Sequence, residues 1–197
     1  MARQKKSELR MIGRTVLEDR GYLTELRTGQ GLLPGARLRA KKDGEAFDVA
    51  VRTSHQRTLS FTMQTSGRWR GLSVDLVLAV VPAEKNSESV EVLAFDSTVL
   101  KDRFDKALKG LEHADRPARY EMPVFVPLDR ETRKNVGHGV SNLKEVALWT
   151  QRVGAAELKF KISIDSVETF IDRVKREFAE RNQVDVSKVV VEFRILT

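Results

Sequence analysis

Gly35-Ala36-Arg37-Leu38-Arg39-Ala40 and, after a short polar break, Val49-Ala50-Val51-Arg52-Thr53-Ser54 decide how this chain is read. Read by residue type, they are a strand and a returning strand. Between them Lys42-Asp43-Gly44-Glu45 carries Asp-Gly, a strong two-residue hairpin signal. The returning strand ends in a guanidinium and two hydroxyls, with His55, Arg57 and Ser60 close behind. Alternation puts Asp48, Ala50 and Arg52 on one face of that strand.

Working outward, Leu9, Ile12, Val16 and Leu17 fall at helical spacing from Ser7 to about Arg20, and Gly21 supplies a stop. Tyr22–Thr24 continues as a short extended piece, and Gly29, Gly31, Pro34 and Gly35 mark a loop. Strands are predicted at Ala36–Lys41, Ala46–Thr53 and Thr58–Met63, three in antiparallel succession. Val74–Val81 is a near-continuous β-rich run, as expected of a strand covered on both faces. Val90–Phe95 is another strand, and Thr98–Leu111 a helix with Leu100, Phe104, Ala107, Leu108 and Leu111 on one stripe. Tyr120–Pro127, with two prolines, reads as an edge or connector. Asp129–Gly139 reads as a loop, and Ser141 as the cap of a helix to about Val153 carrying Leu143, Val146, Ala147 and Trp149. A strand at Leu158–Ile164, a helix opened by the capping box Asp165-Ser166-Val167-Glu168 and stopped near Asn182, and a strand at Lys188–Leu196 complete the chain.

The hairpin and its surroundings resemble the core of the PD-(D/E)XK nuclease-like superfamily. Members often read Gly-x-Asp-Leu on the first strand and a carboxylate-x-Lys-Thr-Ser at the end of the second. Here Arg37 and Ala50 occupy the acidic positions and Arg52 the lysine position. Relatives also carry a glutamate on the first helix; counting back from Gly21 lands on Met11, with Glu8 almost a turn earlier. The resemblance implies an α/β (mixed α+β) fold: a restriction-endonuclease-like core over 7–127, with a central mixed sheet flanked by helices. Residues 128–197 form a C-terminal extension of a helix and a strand–helix–strand unit packed on the core. It also implies that the catalytic chemistry is lost. Magnesium needs hard oxygen ligands; Arg37 would repel a cation, Ala50 has no ligating atom, and Arg52 cannot act as a base.

Composition points the same way. Residues 1–70 carry 15 Lys+Arg against 7 Asp+Glu, whereas 71–197 carry 20 against 21, so the net charge of +7 arises wholly from the hairpin segment. A concentrated positive field attracts polyanions. The plain alternative is a solvated basic surface. The chain has no cysteine, which excludes disulfides and thiolate metal sites. Met1–Arg10 lacks the apolar stretch of a secretory signal and Leu76–Pro82 is too short to span a bilayer. These features predict a cytoplasmic protein with no membrane association.

Three functions follow. The first is a nucleic-acid-binding protein, DNA before RNA, on an inactive nuclease-like scaffold without a cofactor; the superfamily suggests defence, mobile-element or repair settings. Its binding residues would be Arg37, Arg39, Lys41, Lys42, Arg52, Ser54, Arg57, Arg68, Trp69 and Arg70, with Trp69 stacking on a base or covering the sheet edge. The second is a deoxyribonuclease dependent on Mg2+ or Mn2+, with ligands migrated to Asp48 or Asp75 and His55 as a further candidate. The third is a protein-interaction subunit meeting an acidic partner or forming a homodimer. Asp96, His113, His138 and the Gly137-His138-Gly139 turn have ordinary turn or surface readings.

Overall fold

A computed structural model of the chain describes residues 5–29, 32–84, 87–113, 120–130 and 140–154, together with Asp172, Lys175, Ala179 and 185–190. It divides into two compact units, Met1–Leu158 and Lys159–Thr197. The first unit is mixed α+β. Its elements are α1 (Lys6–Asp19), β1 (Leu23–Leu26), β2 (Arg37–Lys42), β3 (Glu45–Thr53), β4 (Thr58–Met63), β5 (Trp69–Arg70), β6 (Leu76–Pro82), β7 (Val90–Asp96), α2 (Ser97–His113), β8 (Pro123–Pro127) and β9 (Trp149–Val153). A six-stranded sheet runs β1-β2-β3-β6-β7-β9, and a three-stranded one runs β5-β4-β8. β3 and β6 pair in parallel, whereas every other pair is antiparallel.

The hairpin forms where the Asp-Gly signal predicts. Asp43 and Gly44 have φ of 52° and 84°, the two positive values that a type I′ turn needs. Gly21 (φ 84°) ends α1, its amide donating to the Glu18 carbonyl. Asp96 caps α2, its carboxylate accepting from the Thr98 and Val99 amides at 2.7 and 3.2 Å.

Six consecutive residues of β6, Leu76–Val81, are buried, because both faces of the large sheet are covered. Leu76, Leu78 and Val80 meet Leu9, Ile12, Val16 and Leu17 of α1 in one core. Val77, Ala79 and Val81 meet Leu100, Phe104 and Ala107 of α2, with Leu59, Phe61, Val124 and Val126 of the small sheet, in the other. Gly13 lets α1 lie close: a Cβ there would stand 2.8 Å from Val80 Cγ2 and 3.2 Å from Val51 Cγ1.

Three expectations fail. β4 does not extend the hairpin's sheet; it pairs with β5 and β8 instead. The chain turns away at Arg57, whose φ is 50° and whose side chain is drawn inward. Nor does a helix run from Ser141 to Val153. Only a 3-10 turn forms, at Leu143–Val146, and Trp149–Val153 becomes the strand that completes β7. Its burial alternates, with Val153 buried and Thr150 and Arg152 exposed, so the open edge of β7 overrides the helical spacing of four apolar residues. β9 thereby joins the first unit. In the second unit Asp172, Lys175 and Ala179 are helical and Val186–Lys188 form a 3-10 turn, so the predicted last strand does not begin at Lys188. The remaining expectations for 155–197, and those for the loop holding Gly137, His138 and Gly139, lie outside the described residues. No helix among the described residues is long and apolar enough to cross a membrane.

Replacing Gly13 with valine should force α1 off the sheet and cost about 2 kcal/mol, the scale of overpacking a filled core. A lower urea midpoint with an unchanged denaturant slope would register it.

Candidate anion-binding site

The register of the hairpin sets Arg37 opposite Ala50 and Arg39 opposite Asp48. Leu38, Ala40, Val49 and Val51 therefore face α1, and Arg37, Arg39, Asp48, Ala50 and Arg52 share the other face. Ala50 is buried in the core beneath α2. The Arg52 guanidinium lies 4.8 Å from the centroid of the Phe61 ring and donates through Nη2 to the Arg70 carbonyl at 3.2 Å. Its Nε is buried and has no acceptor among the described residues. Such an orphaned donor costs about 1–3 kcal/mol, which a purely structural arginine seldom carries.

Gly71 makes room for this head group. Its φ is 92°, and a Cβ there would fall 1.9 Å from Arg52 Nη2 and 3.9 Å from Arg37 Nη2. Two guanidiniums thus crowd one glycine. Burial lowers the pKa of Arg52, and the positive field of Arg37 lowers it further. Burial also lowers that of Arg37, partly opposed by Asp48. Both remain charged at neutral pH. Among the described residues neither has a carboxylate within ion-pair distance.

Asp48 is already engaged. Its carboxylate accepts from Arg39 Nη1 at 2.9 Å, with Arg27 at 3.6 Å, and the bond from Arg39 holds its pKa below the ordinary value. Asp75 caps the start of β6: its carboxylate accepts the Asp48 amide at 2.7 Å, and its own amide donates to the Asp48 carbonyl at 2.9 Å. Among the described residues no group of three or more His, Asp or Glu is placed to hold a metal ion. The two aspartates read as rebuilt metal ligands are neighbours, but one answers arginines and the other a backbone amide.

The remaining predicted cations separate by environment. Arg57 is 15% exposed and internal. It donates to both carboxylate oxygens of Asp129 at 2.6 and 2.8 Å, to Glu91 at 2.7 Å, and to the Pro82 and Ala83 carbonyls at 2.6 and 2.8 Å. The bonds from Asp129 and then Glu91 hold its pKa above the ordinary arginine value despite burial. Lys144 adds a second cation to Glu91. The placement of Arg57 on a binding surface is thus corrected, because five acceptors hold it inside. Of the two readings of Trp69, covering the sheet fits and stacking on a base does not: it is 4% exposed, packs edge-on against Phe104 with centroids 5.5 Å apart, and donates to Asp105 at 2.7 Å. Its ring offers no face to a base. Arg70 pairs with Glu121 at 2.9 Å and Lys41 with Glu25 at 4.0 Å, while Lys42 donates to the Arg20 carbonyl. Arg68 is exposed.

Beyond Ala50, β3 outruns β2 and continues to Thr53 along β6. A cleft of about 400 Å³ opens there between α1 and β4, at the carboxyl end of β3. Lys6, Arg10 and Arg52 line it with the hydroxyls of Thr53, Ser54, Thr58 and Ser60, with His55, and with Phe125; among the described residues no carboxylate does. Arg10 is oriented by its bond to the Pro34 carbonyl at 2.9 Å. Of the residues singled out in the sequence as binding candidates, Arg52 and Ser54 line this cleft; Lys6, Arg10, Thr58 and Phe125, which line it too, were not among them. A signal for the two cations was present: they stand at i and i+4 on one side of a helix start, where the macrodipole disfavours positive charge.

Comparison of the chain with protein-family models, with curated proteins and with solved structures returned no match.

Arg57 and Arg37 should respond oppositely to truncation. Arg57→Ala strips Glu91 and Asp129 of their main partner and should cost about 3 kcal/mol. Arg37→Gln should change stability by less than about 1 kcal/mol, since no carboxylate pair is broken. Equilibrium urea unfolding of the two variants checks both.

Proposed function

We propose that this protein binds nucleic acid, with DNA as the first ligand to test, on a PD-(D/E)XK-like scaffold whose catalytic positions no longer serve metal chemistry. The observation that carries the reading is the convergence of Arg37 and Arg52 on one face beside Ala50, with a buried donor that has no partner, and no paired carboxylate, among the described residues. Of the two positions where the superfamily resemblance implies metal-holding acids, one is Arg37 and the other Ala50, and Arg52 stands at the lysine position, so the site keeps two cations suited to phosphate. A guanidinium offers paired donors that match phosphate oxygens, and contacts of this kind position a protein on a backbone without reading bases.

The surrounding charge supports the same ligand. Several cations of residues 1–70 are neutralised internally: Arg27 and Arg39 by Asp48, Arg57 by Glu91 and Asp129, Arg70 by Glu121. Lys6, Arg10, Arg37 and Arg52 are among the cations with no carboxylate partner among the described residues, and three of them line one cleft. Those three cations stand at the carboxyl end of β3, the side of an open sheet where ligands of α/β folds gather.

A gel-shift series on duplex and single strands, with and without manganese, separates the three functions. Binding without cleavage is expected; cleavage would favour the nuclease with migrated ligands, and absence of both would favour a protein-interaction subunit. In the double variant Arg37→Gln/Arg52→Gln the log–log salt slope on duplex DNA should fall by about 0.9 for each phosphate that the protein no longer holds. An unchanged slope would remove these residues from the interface.

The scaffold reading has its own test. The triple change Arg37→Asp, Ala50→Glu, Arg52→Lys should convert the cationic patch into one that binds manganese measurably by calorimetry. A folded triple variant that binds manganese no better than the parent would break the correspondence with the superfamily.

A further inference from the structure

We infer that the cleft at the carboxyl end of β3 accepts a single nucleotide unit bearing a terminal phosphate monoester, with the phosphate among Lys6, Arg10 and Arg52 and the base against Phe125. This deepens the nucleic-acid reading and rests on it for the source of that nucleotide.

Size is the first argument. A cleft of about 400 Å³ falls in the range of small-ligand sites and suits one nucleotide. A duplex must be met by a surface or a groove, and cannot enter. Charge is the second. Among the described residues three cations line the space and no carboxylate does. A terminal phosphate carries nearly two negative charges at neutral pH, its second pKa being about 6, whereas a backbone diester carries one. The site therefore discriminates in favour of an end.

The neutral donors fit the same group. Ser54 Oγ accepts the Gln56 amide at 3.1 Å, which leaves its hydroxyl hydrogen to donate outward. Thr53, Thr58 and Ser60 supply further hydroxyls along the wall.

Phe125 is the third argument. Among Phe61, Val124 and Val126, all buried, it alone turns outward, 49% exposed. It stands directly opposite Ser60 in the β4–β8 register, so ring and hydroxyl share one face of the small sheet. Directly opposed residues hold their Cβ atoms about 5 Å apart. An aromatic ring fixed beside phosphate donors is the arrangement by which proteins stack a base while holding its backbone.

Fluorescence anisotropy with short single-stranded thymidine oligomers carrying a 5′-phosphate, a 3′-phosphate or neither tests the inference, with thymidine monophosphate as a free competitor. One phosphorylated end should bind roughly tenfold tighter than the bare oligomer, the scale of one charge-assisted hydrogen bond. Phe125→Ala should weaken all nucleotide ligands by about tenfold, the effect of losing one stacking partner. Lys6→Gln and Lys6→Gln/Arg10→Gln should erase the preference for the phosphorylated end. Lys6 and Phe125 are exposed, so circular dichroism should register folded variants. Equal binding of phosphorylated and bare oligomers, or a preference that survives both lysine variants, overturns the inference and leaves nucleic-acid binding standing. Monophosphate binding that these variants abolish, without any oligomer binding, supports the cleft and removes the nucleic-acid reading. If neither ligand binds, both fall.

Discussion

Two-sided burial of β6 is the constraint from which the rest of the first unit follows. A strand with six consecutive buried residues must have a cover on each face. α1 provides one, lying close because position 13 has no side chain. α2 and the three-stranded sheet provide the other. Since β3 pairs with β6 in parallel, alternate β3 residues enter each core. Ala50 goes into the second, and Arg52, two residues on, reaches the rim where that core ends. The positions of the two unpaired guanidiniums are thus consequences of sheet geometry.

Arg52 and Arg57 show how little the residue type says by itself. They lie five residues apart, both largely withdrawn from solvent. Arg57 finds two carboxylates and two carbonyls and becomes an internal tie. Arg52 finds an aromatic ring, one carbonyl and another arginine. Burying a cation without a countercharge is unfavourable unless something supplies the charge. That asymmetry, more than the total of basic residues, separates a structural cation from one suited to a ligand.

The hairpin, β6, β7 and both helices were legible because their signals are local. The Asp43-Gly44 turn, the stripe on α2 and the apolar run of β6 each declare a period or a turn type within a few residues. Asp48 and Asp75 do stand side by side across β3 and β6, as a shared site would require, although the arginines and the amide that engage them were not foreseeable. β9 was not legible, because four apolar residues at helical spacing compete with an open strand edge that exists only after β7 has formed. Arg57 was misjudged and Trp69 undecided for a related reason. Their partners Asp129, Glu91 and Asp105 lie 34 to 72 residues away in the chain, beyond the reach of local pattern. Lys6 and Arg10 join the cleft through the same kind of distant closure.

The tie made by Arg57 has a consequence for how the molecule opens. Its side chain leaves the start of the small sheet, grips β7 through Glu91, holds the carbonyls just past β6, and clasps Asp129 beyond β8. A three-stranded sheet with a two-residue edge strand would by itself be a marginal element, prone to fray long before the whole fold gives way. Joined in this manner, it has no low-energy route to separate from the large sheet. The amides of β4 then exchange with solvent only in the same rare openings that release β6 and β7, and the two sheets behave as one cooperative unit.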